Sequence, residues 1–170
     1  LLDEYHRLAP AQQAFAAAGL SEFSVQRRSD DGLAEQFENE VVAANNPAAT
    51  AAFLAAAGRA VAAGEAYKQV EPGDPCAYEL ALHLARRRAE DNPGEAFEWL
   101  AGLFEEPGQA AMAVKSALND TQNPLIARAA LEWVDKQEPC EEMRHAKREI
   151  LERFPLLDAD IPTQTVPILE

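Results

Sequence analysis

The stretch "DNPGEAFEWLAGLFEEPGQ", residues 91–109, sets the terms on which the rest of the chain is read. Asn92 can cap the exposed amides of a helix start, and Pro93 suits the first turn, where its missing N–H costs nothing. Glu106-Pro107 closes the segment and opens the next one in the same way. Between them the residues predict a helix over 93–106. Phe97 and Phe104 are seven residues apart and would share a face, whereas Trp99 is displaced from them by about 160° at 100° per residue. Aromatic side chains on two sides of one short helix fit a middle helix that meets a neighbour on each side. A face that grips a partner helix or peptide is the other reading.

Working outward, the same opening recurs. Asn46-Pro47, Asn92-Pro93 and Asn123-Pro124 each start a segment, the second interval being shorter than the first, and Leu54, Leu100 and Leu131 each follow the Asn by eight. The residue before each leucine is Phe53, Trp99 or Ala130. Such positions lie two turns into a helix, where an apolar stripe needs a second helix to cover it. Repeat-like units are expected over about 46–91, 92–122 and 123–154. In this spacing the chain resembles α-solenoids of the HEAT and TPR kind over residues 46–154, although the tetratricopeptide consensus is absent. An irregular helical bundle whose helices start with Asn-Pro is the competing architecture.

Prolines and glycines divide the remainder into helix-sized pieces. Helices are expected from Pro10 to about Gly19, and over 33–45, 47–63, 75–91, 108–120, 124–137 and 139–154. "YKQVEPGDP", residues 67–75, reads as the clearest loop. Residues 1–154 read as one all-helical domain, followed by an extended tail over 155–170. Composition agrees on the class: 35 of the 170 residues are alanine, the best helix former, and β-branched runs are few. A chain of this length buries roughly two thirds of its unfolded surface and needs no metal or disulfide to fold.

The net charge of −14, from 29 acids against 15 bases, opposes a phosphate backbone and so speaks against nucleic acid. It favours a protein partner, with a basic one suited to the field. No apolar run approaches the roughly 20 residues that cross a bilayer, so no membrane insertion is expected. The chain reads as soluble and cytoplasmic, with a periplasmic or secreted location open should a leader have been removed. Cys76 and Cys140 lack metal or redox spacing and read either as small buried hydrophobes or as one disulfide.

Chemistry-bearing constellations are sparse. Glu142 and His145 have the Glu-x-x-His spacing of carboxylate-bridged metal bundles, Asp3 and His6 share it, and Glu79 and His83 lie four apart. On a helix charged almost all round, the first pair reads better as a solvated face. No nucleophile elbow and no glycine-rich phosphate loop is present. Two basic clusters, Arg86–Arg87–Arg88 and Lys147, Arg148 and Arg153, sit near helix C-termini, where cations offset the macrodipole. The expectation is a non-catalytic protein–protein interaction module without cofactor or metal, its oligomeric state open. Its candidate contact residues are the acids Asp30, Asp31, Glu35 and Glu38 and the aromatics Phe97, Trp99, Phe104 and Trp133. The alternative is a helical-bundle enzyme or metal-binding protein using Glu79, His83, Glu142 and His145.

Overall fold

The computed structural model describes residues 2–26, 39, 41, 43 and 45–159. Every regular element among the described residues is a helix, so the fold is all-α. In chain order these are α1 (Leu2–His6), α2 (Pro10–Gln26), α3 (Pro47–Ala56), α4 (Ala60–Tyr67), α5 (Ala77–Asp91) and α6 (Pro93–Ala101). There follow α7 (Pro107–Ala117), α8 (Pro124–Asp135), α9 (Glu141–Arg153) and the short α10 (Leu156–Ala159). Asn39, Val41 and Ala43 are also helical; most of the helix expected over 33–45 lies outside the described residues.

The Asn-Pro starts work as their chemistry requires. The Oδ1 of Asn46 accepts from the amide of Ala49 at 3.1 Å, that of Asn92 from Glu95 at 3.3 Å, and that of Asn123 from Leu125 at 2.9 Å. Asn46 also donates through Nδ2 to Oε1 of Gln13 at 2.9 Å, which ties the start of α3 to α2. Leu54, Leu100 and Leu131 are all buried.

Helices expected over 75–91, 108–120, 124–137 and 139–154 are shifted at one end or both by up to three residues, and three departures are larger. The helix expected over 47–63 is two helices, divided at Gly58. That residue takes φ +76°, its amide bonds to Ala55 O, and the amide of Arg59 bonds to Leu54 O. This is a Schellman termination, for which glycine has no steric penalty. Conversely, α2 runs through Gly19 to Gln26, because an interior glycine costs only about 1 kcal/mol relative to alanine. Finally, α6 stops at Ala101, and the amides of Leu103 and Phe104 turn back to the carbonyls of Leu100 and Ala101. Phe104 therefore follows the helix and does not share a helical face with Phe97. Of the tail expected to be extended, Leu156–Ala159 forms one helical turn and residues 160–170 lie outside the described residues.

The chain forms two compact units, Leu1–Ala96 and Phe97–Glu170. In the first, α3 packs against α2, α4 and α5. Its Ala48, Ala49, Ala51, Ala52, Phe53, Leu54 and Ala55 are all buried, and a helix apolar all round belongs in an interior. Tyr5, Ala17, Val41, Ala49 and Phe53 form one core cluster there. Between α4 and α5, Tyr67 Oη donates to Ala77 O at 2.9 Å, and Asp74 Oδ1 accepts from both the amide (3.0 Å) and the thiol (2.9 Å) of Cys76.

In the second unit α7 and α9 are the most closely packed pair. Ala110, Ala113, Val114 and Ala117 of α7 are buried, as are Met143, Ala146 and Ile150 of α9. Small residues on such stripes let helix axes approach closely. A Cβ on Gly108 would stand 3.0 Å from Cγ and Cδ of Glu142, Lys115 Nζ lies 2.8 Å from Glu149 Oε2, and Arg153 Nη2 lies 2.6 Å from Asn119 O. Both members of each pair advance together, so α7 and α9 run parallel. The sequence offset is identical in all three pairs, and α8 returns the chain between them.

Candidate functional site

The site best defined by the structure is a groove beside the α7–α9 seam. It is an open cavity of about 530 Å³ lined by Met112 of α7 and by Glu141, Glu142, Arg144, His145 and Arg148 of α9. The helical period of α9 brings these side chains together. Met143, Ala146 and Ile150 face inward, which turns Glu141, Arg144 and Arg148, three and four residues apart, to an outward line.

Three of the charged groups here, Glu142, His145 and Arg148, are positioned by specific neighbours. Glu142 lies over the first turn of α7, where Gly108 has no side chain to obstruct it. Its carboxyl is held below the usual carboxylate range, first by a hydrogen bond to its own backbone amide and second by the Cys140 thiol. Cys140 caps α9 in turn, its sulfur accepting from the amide of Met143 at 3.4 Å. Deeper along the seam, Glu149 is also held low, chiefly by its hydrogen bond to Lys115, with His145 and Arg148 adding smaller attraction.

His145 is engaged at both ring nitrogens. Nε2 is 2.9 Å from Glu149 Oε1, and Nδ1 is 2.8 Å from Arg148 Nη2. A guanidinium can only donate, so Nδ1 accepts and Nε2 carries the proton given to Glu149. The histidine thus braces Arg148 at the groove, and its helical partner is Glu149 at four residues instead of Glu142 at three. Among the described residues no three His, Cys, Asp or Glu side chains converge as a metal site would require.

Of the aromatic candidates, Phe97 is 1 % exposed and Trp133 9 %, while Trp99 and Phe104 are half-buried. Asp30, Asp31, Glu35 and Glu38 lie outside the described residues. Glu79 is exposed and His83 half-buried on α5. The two cysteines are free thiols, Cys76 buried and Cys140 half-buried. The basic clusters are tied to carboxylates and carbonyls: Arg88 pairs with Glu95 at 3.2 Å and Arg87 with Glu90 at 3.8 Å. Lys147 pairs with Asp135 of α8 at 2.6 Å. Among the described residues no helix is long and apolar enough to cross a membrane.

The sequence does not single out the groove as a unit. Of its lining the sequence marks Glu142 and His145, as a solvated face, and Arg148, in a basic cluster near a helix C-terminus. Comparison of the chain with protein-family models, with curated proteins and with solved structures finds no match.

Proposed function

We propose that the chain is a non-catalytic module that binds another protein through helix surfaces of a helical-hairpin array. The observation that carries this reading is the open groove beside the α7–α9 seam, with its charged lining. Glu141 and Arg144 on its rim have no ion-pair partner among the described residues, and their charges are available to a ligand. The remaining polar groups there brace one another, as Lys115, Glu149, His145 and Arg148 do. Such an arrangement holds side chains in place for recognition.

The parallel register of α7 and α9 supports the array. Equivalent helices of adjacent hairpins stack in parallel at one repeat length. The constant offset between the two helices falls inside the roughly 30–45 residues of helical-hairpin repeats. The net charge of −14 supports a partner with basic character, met by the acidic stretch of the sequence that carries Asp30, Asp31, Glu35 and Glu38. Half-buried Trp99 and Phe104 are the aromatics best suited to anchor it.

Affinity capture from cell extract with the full chain, read by quantitative mass spectrometry, tests the proposal. A protein enriched by the wild type and depleted about tenfold by the Arg144→Glu/Arg148→Glu variant is the expected result. Equal capture by both chains, or capture by neither, would refute it.

A further inference from the structure

The groove holds its charges in a definite order. Glu141 and Glu142 stand at the N-terminal end of α9; Arg144 and Arg148 follow Glu141 along its outward line, while Glu142 lies on the side toward α7. From Glu141 to Arg148 the helix rises about 10 Å, at 1.5 Å per residue. An extended peptide covers that length in about three residues. Arg144 and Arg148 are one helical turn apart and offer two guanidinium forks, a geometry suited to a carboxylate. Arg148 is steadied by His145 at 2.8 Å. Glu142 is steadied by the amide and thiol that keep it ionised, and by its seat over Gly108. Met112 contributes a half-buried, deformable apolar surface between them. The cavity, about 530 Å³, is of the size that holds a short peptide segment.

We infer that the α7–α9 groove recognises an extended segment of a partner protein carrying a Lys or Arg and, three residues away, a carboxylate. The basic side chain pairs with Glu141 and Glu142, the carboxylate is gripped by Arg144 and Arg148, and an apolar residue between them rests on Met112. This inference rests on the interaction-module reading and specifies its partner. A uniformly basic or uniformly acidic ligand would meet like charge at one end of the groove, so the order of charges also excludes wrong partners.

The test uses the 170-residue chain and capped eight-residue peptides with Lys and Glu three positions apart and a leucine between them. Isothermal titration is compared with peptides in which the two charges are adjacent, or in which either is replaced by Gln. The three-residue spacing is expected to bind about tenfold tighter than any of these, and Arg144→Gln/Arg148→Gln is expected to remove that preference. Arg144 has no ion-pair partner among the described residues and Arg148 bonds only to exposed groups, so an unchanged melting profile verifies that the variant is folded. Equal affinity for all peptides, or a preference that survives the double substitution, overturns the inference. If the peptides fail while extract capture still depends on Arg144 and Arg148, the charge spacing is wrong and the interaction reading stands. If capture is also insensitive to them, both fall.

Discussion

Arg153 Nη2, on the last turn of α9, donates to the carbonyl of Asn119 at 2.6 Å. The same guanidinium donates to Thr121 O at 2.8 Å and to Leu118 O, just past the end of α7. The last carbonyls of a helix have no partner within it, and the macrodipole makes that end negative. One side chain of α9 therefore completes the C-terminus of α7 and fixes its height along the seam. Arg153→Ala is expected to destabilise the protein by about 1–3 kcal/mol, with Arg153→Lys recovering only part because an ammonium lacks the fork. Urea unfolding followed by circular dichroism measures both.

Acid stability is expected to reflect Glu149, whose carboxyl is held low chiefly by Lys115. As pH falls the unfolded chain takes up this proton before the folded one does. The contribution is full above the ordinary glutamate value of about 4.3 and is lost as pH drops through the lower native value. Glu149→Gln is expected to lower stability at pH 7 and to flatten the acid limb of the urea midpoint against pH. A limb as steep as that of the wild type would show that the pair contributes nothing.

Cys76 behaves in the opposite sense. Burial first, and then Asp74, push its thiol up to about 12. The folded state keeps this proton where the unfolded chain releases it, so the stabilisation is full below about 8.5 and declines as pH rises toward the native value. Iodoacetamide at pH 8 is expected to label half-buried Cys140 and spare Cys76 until denaturant is added. Peptide mapping reads the outcome.

How much of this was legible from residues alone depends on how local each feature is. Helix starts at Pro47, Pro93 and Pro124 follow from two adjacent side chains and stand where the sequence predicts them. The break at Gly58 was hidden because alanine continues on both sides and nothing local demands that glycine leave the helix. Gly19, with the same credentials, stays inside one. The groove was hidden more deeply, since its parts depend on contacts between α7 and α9, with the whole of α8 between them in the chain. Glu142 and His145 look like a pair by spacing, yet the carboxylate is held by its own amide and the Cys140 thiol in the room that Gly108 leaves, while Glu149, fixed by Lys115, takes the imidazole. No periodicity encodes that choice.

The register itself can be trapped covalently. A Cβ at position 108 would lie 3.0 Å from Cγ of Glu142, which keeps the two Cβ atoms within the roughly 4.5 Å that a disulfide spans. Gly108→Cys/Glu142→Cys, in a Cys76→Ala/Cys140→Ser background, is expected to oxidise completely in air. Gly108→Cys/Glu149→Cys, two turns out of register, is expected to remain reduced. Mass shift under non-reducing conditions distinguishes them.

If the groove beside the α7–α9 seam is where this chain meets another protein, its two walls must be shielded in the complex. Hydrogen–deuterium exchange on the full chain, with and without its captured partner, tests this most directly. Added protection concentrated in 107–118 and 141–149, lost with Arg144→Glu/Arg148→Glu, is the predicted result. A partner that binds while leaving exchange in both segments unchanged would contradict it.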